Sequence, residues 1–547
     1  MAQRSLGHRA PLLWLVLPLM AGLAAGRAGL LPASAWGLVP AGLAAGLALV
    51  AGWRDWPRTW AATLGAAMVL AGAALYARVQ PRPAKGWDVL PPREAEATLT
   101  VERVFPRTDP RRAAGIARIV ATESPVRGLD GQRAHYALTL VPGTEAPIVG
   151  AVFRARGVVA VLPRNPPPNS FESYLAGAGV GFRLTRGRWL GEVRAAPAYR
   201  RFCARALARC GELLGAGVAA KQPALTHVLR AMLLGQQQEL SPEQLARYRQ
   251  SGTMHVFSIS GLHIAVSAAG LGAVLALLRL PRLLRTGLGL AALWLYVDLT
   301  GTAPSAVRAF VMVAFAQVAL ALRAPRNPLA ALTVSALVVL LAAPLDLFSA
   351  SFQMSYGIVA ALLLLGLPLA ERWLEATALF TALPRPAWRW HQRLRDATWR
   401  ALVAAVGLGL ASSLVGAVTG LAFFSMLTPG ALLANLWLIP ASSLVILFGL
   451  VSLLAGLAGW AGAGVLANHA AVLVLWVIDR VLQLNLRLPG MWFTAEFRVP
   501  GLGGVALALL LASLLAGYAS RWEGWCRGFW PPFAVVALTL MFGVRFG

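Results

Sequence analysis

Two histidines, two serines and a glycine stand close together as His255, Ser258, Ser260, Gly261 and His263, at the head of a long apolar run. His255 and His263 lie about two helical turns apart, so one helix face could present both. A metal pair would need further ligands, and the sequence supplies no Cys/His cluster beside them. Ser258 or Ser260 with His263 has the composition of a nucleophile and its base. No acid is spaced to orient that base, and Ser and His inside a span ordinarily hydrogen-bond helix backbones. The residues therefore imply neither a catalytic set nor a metal or cofactor site. What they do imply is burial: polar groups are costly in hydrocarbon and should face protein or a wet cavity. Gly261 permits close helix approach or a break in the helix.

Four more polar residues interrupt later apolar runs: Asp298, Arg308, Gln353 and Asn435. Two readings stand for Arg308. It could snorkel to the membrane boundary, since Pro304 starts its helix; or it faces inward, toward a phosphate or toward Asp298. Gln353 and Asn435 are equally compatible with a polar path and with interhelical hydrogen bonds.

The elements that must hold these residues are set by composition. The chain of 547 residues is 58% hydrophobic with a mean hydropathy of +0.65. A soluble chain of this length would need far more polar surface. Apolar runs of the ~20 residues needed to cross a bilayer recur along most of it. Three open the chain, near 11–26, 34–52 and 60–76. The first, preceded by Arg4 and Arg9, resembles the apolar part of a signal peptide, but further spans follow at once and it reads as a retained anchor. Residues 77–199 change character: period-two alternation appears in Ala97–Val104, His135–Val141, Val149–Val161 and Val180–Trp189, with turns at Asp130-Gly131 and Pro142-Gly143. Four or five such strands predict a small β-barrel or sandwich. A helical connector with an amphipathic Arg200–Leu214 occupies 200–254. Ten spans then follow within 255–547, near 255–278, 286–302, 305–322, 328–343, 347–370, 401–424, 430–456, 462–478, 501–519 and 530–544. The expected fold is a polytopic α-helical membrane protein of about thirteen spans with an inserted, OB-like β-barrel outside the membrane.

Charge tests that count. The chain carries 49 Lys+Arg against 22 Asp+Glu. With the N-terminus inside, the arginines at 54 and 58, 279–285, 323–326, 385–400 and 521–527 all fall on the inner face, while the Pro344–Asp346 turn outside has none. That alternation is the positive-inside pattern, and it places the C-terminus outside. The barrel is exempt as a long translocated domain, yet residues 77–200 hold 19 Lys+Arg against 10 Asp+Glu. Two explanations remain open, a polyanion ligand such as single-stranded nucleic acid or a solvated basic surface. For the first, Arg154, Arg156, Arg183, Arg186 and Arg188 are the candidate contacts, clustered on two strand-like stretches.

The run from Leu233-Leu-Gly-Gln-Gln-Gln-Glu-Leu-Ser241 through Tyr248-Arg-Gln-Ser-Gly252 to His255 and Ser260-Gly-Leu-His263 resembles the signature of the ComEC family, membrane proteins of natural competence. Further matches follow in order: Gly301 with Pro304-Ser305 and Arg308-Ala309, then Arg323, Asn327 and Pro344, then Ser351-Phe-Gln-Met-Ser355, then Asn435 to Pro440. Upstream, Asn165-Pro166, Phe171–Leu175 and Gly179-Val180 are similar to the end of that family's extracytoplasmic barrel. The resemblance spans about 30–505. Full-length members continue into a metallo-β-lactamase-like domain. Neither its His-x-His-x-Asp-His cluster nor its Asp-Val-Gly-Gln-Gly-Asp start is present, so the resemblance is to the barrel and channel without the nuclease.

That resemblance implies an inner-membrane channel, not an enzyme, taking up single-stranded DNA during natural transformation. Implied partners are the strand itself, membrane lipid, and a separate nuclease, a DNA receptor and a cytoplasmic DNA translocase, since no P-loop is visible to couple energy. The alternatives are a transporter of small molecules or lipid precursors on the same scaffold and, more remotely, an intramembrane hydrolase using Ser260 and His263.

Overall fold

The computed structural model describes residues 10–31, 38–80, 91–105, 107, 109, 111–122, 129–163, 166–167, 170–257, 259–323, 327–380 and 388–546. Three helices lead: α1 (Leu13–Arg27), α2 (Leu38–Trp53) and α3 (Pro57–Val79). Strands β1 (Arg93–Phe105), β2 (Arg112–Thr122), β3 (Arg133–Thr139), β4 (Val152–Val161) and β5 (Phe182–Arg194) follow, with the short helix α4 (Phe171–Gly177) before β5. They close a barrel in the order β1-β2-β3-β5-β4, with β3 parallel to β5 and every other neighbour antiparallel.

Alternation built the barrel where it was legible. Ala95, Ala97, Leu99 and Val101 point inward from β1 and pack on Phe153, Tyr136, Phe182 and Leu184. The two expected turns carry left-handed glycines, Gly131 at φ 79° and Gly143 at φ 85°, a conformation glycine adopts without steric cost. Strand β2 was not legible. Its Ala113–Ala117 run is buried throughout, and it is rich in Ala and Gly, which have low β-propensity. Gly115 explains part of this: any Cβ there would collide with the Arg103 carbonyl on the paired strand.

The connector is helical: α5 (Ala198–Gly215), α6 (Pro223–Leu234) and α7 (Pro242–Gln250). Then come α8 (Gly261–Leu277), α9 (Arg282–Leu299), α10 (Pro304–Ala321), α11 (Pro328–Ala342), α12 (Ala350–Ala361), α13 (Leu367–Ala376), α14 (Trp390–Phe424), α15 (Ala431–Leu457), α16 (Ala461–Arg487), α17 (Leu502–Ala519) and α18 (Trp530–Gly543). One π-helical turn, Leu362–Gly366, joins α12 to α13 as a continuous apolar rod. Short strands β6 (Met426–Leu427), β7 (Phe493–Phe497) and β8 (Val544–Phe546) tie helix ends together in a second sheet.

Among the described residues seven helices are long and apolar enough to cross a membrane: α3, α10, the α12–α13 rod, α14, α15, α16 and α17. The protein is therefore a multi-pass membrane protein with a small closed barrel. α1, α2, α6, α8, α11 and α18 are apolar but shorter. α14 begins at Trp390, well before the expected 401, so Arg393, Arg395 and Arg400 extend a helix rather than sit in a loop. Among the described residues the helices build three main cores. One joins α1, α11, α12, α14, α17 and α18; another joins α5, α6, α7, α15 and α16. The smallest joins only α8, α9 and α10, through Ile264, Leu293, Val297, Ala306 and Ala309.

Candidate functional site

The smallest core carries the polar residues singled out above. Ser260 is extended (φ −102°, ψ 174°) and caps α8. Its backbone N–H donates to His263 Nδ1 at 3.2 Å, with its hydroxyl 2.9 Å from the same nitrogen. An accepting Nδ1 puts the ring proton on Nε2. That nitrogen is buried without a partner. Ser305, next to the Pro304 that starts α10, donates to the Ile259 carbonyl at 2.9 Å and pins the heads of α8 and α10 together.

One turn further along α10, Arg308 is buried, at 5% exposure, so snorkelling is not its role. Its guanidinium carbon lies 5.5 Å from the Tyr356 ring centre, within cation–π range. Tyr356 Oη is 2.8 Å from Ser335 Oγ, and Ser335 also lies 3.3 Å from the Arg308 carbonyl. Nη2 of Arg308 is 3.9 Å from where a Gly261 Cβ would be. Gly261 thus leaves the space that the guanidinium borders. No carboxylate pairs with Arg308 among the described residues, and its Nε has no acceptor. Asp298, the partner considered for it, belongs instead to Arg200 of α5 at 2.6 Å. Position along one helix could not choose between two arginines brought in by different helices.

The structure therefore gathers Ser260, Gly261, His263 and Arg308, and adds Ser335 and Tyr356, which sequence reasoning missed. The signal was available: Tyr356 directly follows the Ser351–Ser355 motif and is polar within an apolar helix. His255 is exposed in the 3-10 turn Met254–Phe257, and Ser258 lies outside the described residues. Gln353 donates locally, to the Leu347 carbonyl. Asn435 sits apart on α15, beside Ala434 and Leu438 of the α5–α7 core, with its Oδ1 unpaired. The upstream half of the motif does structural work: Gly235 ends α6 at φ 74°, Gln237 donates to the Phe257 carbonyl, and Arg247 pairs with Asp479 of α16.

On the barrel, the five candidate arginines divide. Arg154 pairs with Glu96 at 2.5 Å, Arg156 with Glu94 at 2.9 Å and Arg183 with Glu172 at 2.7 Å. Arg186 and Arg188 are exposed and form no ion pair among the described residues. Arg156 and Arg188 stand opposite each other on β4 and β5, a like-charge juxtaposition that is unfavourable unless an anion shares it. Elsewhere on the barrel, Phe171 and Tyr174 of α4 stack with ring centres 6.0 Å apart beside Phe105 and His135, and all but His135 and Phe105 are exposed. Burial lowers the His135 pKa to about 4, helped by the positive charges of Arg183 and Arg107.

The competence protein family model matches residues 232–522. The chain belongs to the competence protein family. A curated relative, ComE operon protein 3 of Bacillus subtilis (strain 168), is 34% identical over 142 residues, which is 26% of this chain and 18% of the relative. The chain's matched segment thus spans less than a fifth of that relative's length. No solved structure matches. Every candidate residue of the membrane cluster, from His255 to Asn435, falls inside the family match, whereas the five barrel arginines fall outside it. Family membership therefore bears on the buried cluster and leaves the barrel to be argued from its own chemistry.

Proposed function

We propose that this competence-family protein is an inner-membrane channel that passes single-stranded DNA into the cytoplasm, without enzymatic activity of its own. The supporting observation is Arg308: an arginine buried beside Gly261, within the family match, with no carboxylate among the described residues to neutralise it. A buried charge without a counterion is costly and is retained where a passing anion supplies the missing partner. Counting α9 and five of the six shorter apolar helices, α6 being left to the connector, with the seven long ones is compatible with the thirteen-span reading. The arginine distribution favours the N-terminus inside and the C-terminus and barrel outside. The closed five-stranded barrel with one parallel pair fits an OB-like domain, a fold that often binds single strands. Its exposed Arg186 and Arg188, without an ion-pair partner among the described residues, favour recruitment of phosphates by counterion release. A separate nuclease, a DNA receptor and a cytoplasmic translocase would be its partners.

The test is transformation of a deletion strain complemented with variants. Arg308→Gln should lower uptake strongly, Arg308→Lys less, and Gly261→Leu should block it by filling the space beside the guanidinium, all at unchanged protein level in the membrane. Normal uptake with Arg308→Gln would remove this site from the path. Cysteine labelling from outside at Asp130 but not at Arg393 is expected, and the reverse pattern would invert the topology.

A further inference from the structure

At the opposite end of the α8–α9–α10 unit from Arg308, the same three helices part around a groove of about 220 Å³. Its walls are apolar: Leu275 of α8, Leu290 and Leu293 of α9, and Val313 and Leu320 of α10. Two glycines keep it open. A Cβ on Gly272 would meet nothing within 4 Å, and one on Gly289 would touch only the Leu275 side chain. The mouth is of another kind, for Arg282, Arg285, Thr286 and Gln317 all line it. No acidic residue lines this groove, and neither arginine pairs with a carboxylate among the described residues.

Arg282 and Arg285 are one turn apart in the first turn of α9, so they share a face. Two like charges at that spacing repel, and the positive end of the helix dipole adds to the cost. The arrangement lacks an anion. A larger arginine-bearing cavity of about 490 Å³, lined by Arg372, Arg521 and Arg527, makes the contrast. It also contains Glu371 and Glu375, so most of its positive charge has acidic residues beside it. On the same helix ends, Leu277 of α8 and Leu283 of α9 are 82% and 70% exposed, as side chains facing lipid would be.

We propose that this groove is a binding site for one anionic phospholipid, with its phosphate between Arg282 and Arg285 and an acyl chain along the Gly272–Gly289 slot. Charge complementarity selects the headgroup, and the apolar slot directly behind the arginines selects a lipid over a free anion. Thr286 and Gln317 supply neutral hydrogen-bonding groups to the phosphate or the glycerol. The site is independent of the transport reading, since it makes no use of the Arg308 cluster.

The test is native mass spectrometry with thermal melting of the full-length protein in a neutral detergent, titrated with phosphatidylglycerol. Phosphatidylcholine of the same chains, inorganic phosphate and a short single-stranded oligonucleotide are the comparison probes. Phosphatidylglycerol should bind as one retained molecule and raise the melting temperature, and the other three should not. Arg282→Gln with Arg285→Gln should weaken binding roughly thirtyfold, from the usual gain per basic residue at an anionic surface. A Cβ at Gly272 meets nothing within 4 Å, so Gly272→Leu should be accommodated and fold while losing lipid retention. Equal retention of phosphatidylcholine, a matching response to phosphate or oligonucleotide, or full binding by both variants would overturn the assignment.

Discussion

Arginine is used in two ways in this chain. On the barrel most arginines are exposed or half-exposed and paired: Glu102 alone holds Arg118 at 2.7 Å and Arg133 at 2.7 Å, and Arg154, Arg156 and Arg183 each have a glutamate. In the α8–α9–α10 unit Arg308 is buried with an aromatic face and serine hydroxyls nearby but no carboxylate. Water screens the first kind, so those pairs contribute little to stability and little is lost by rearranging them. Nothing screens the second. An unneutralised buried guanidinium weakens the fold, and its retention points to a task outside the fold's own stability.

The comparison breaks first at Arg308. Arg308→Met should reduce DNA uptake about 10- to 100-fold, the scale of a lost charged contact. The same change should raise the thermal midpoint of the purified protein, because it replaces an uncompensated charge by an apolar chain of similar length. A drop in both uptake and midpoint would make Arg308 a structural residue.

The barrel's largest single response should come from acid. The folded state holds His135 with a pKa of about 4, below the ordinary value of 6.5. Below that ordinary value the unfolded chain binds a proton that the folded barrel refuses. Stability from this group is therefore complete above pH 6.5 and is lost as pH falls toward 4, by roughly 3 kcal/mol at most. Hydrogen exchange in β2 and β3 should accelerate across that window. His135→Phe, which keeps the packing on Phe105 and Phe171, should flatten the response.

Smaller effects sharpen the contrast. Asp298 has a side chain only 6% exposed, and Arg200 is its ion-pair partner. Arg200→Ala should cost about 2 kcal/mol in chemical denaturation, since it strands a buried carboxylate. Restoration of most of that by adding Asp298→Asn is expected. Glu102→Gln, on the exposed barrel face, should cost less than about 1 kcal/mol, and high salt should erase the difference from wild type. A cost as large as that of Arg200→Ala, or one indifferent to salt, would end the distinction between the two regions.

Parts of the candidate site were legible for a local reason. A polar residue inside a 20-residue apolar run is conspicuous whatever packs against it, which is how Ser260, His263, Asp298 and Arg308 stood out. The companions' role was not legible, because although Tyr356 follows the Ser351–Ser355 motif, nothing local says that α11 and α12 bring Ser335 and Tyr356 to Arg308. The five barrel arginines were read together because they cluster on two strand-like stretches. Three of them are claimed by glutamates that are distant in sequence, such as Glu94 and Glu96 on the neighbouring strand.

By itself the sequence determined the membrane-spanning character, the place of the barrel between α3 and α5, and nearly every helix from α8 to α18. Those follow from hydropathy and periodicity, which are properties of consecutive residues. Only the tertiary structure decided that β2 joins the barrel, since Gly115 and its buried neighbours make sense only against Arg103 of the facing strand. It also decided that Asp298 belongs to Arg200, and that Arg308 is left beside Gly261 with no counterion among the described residues. Ion-pair choice depends on which helices pack within a few ångströms, and no local pattern encodes the distance between residues a hundred positions apart.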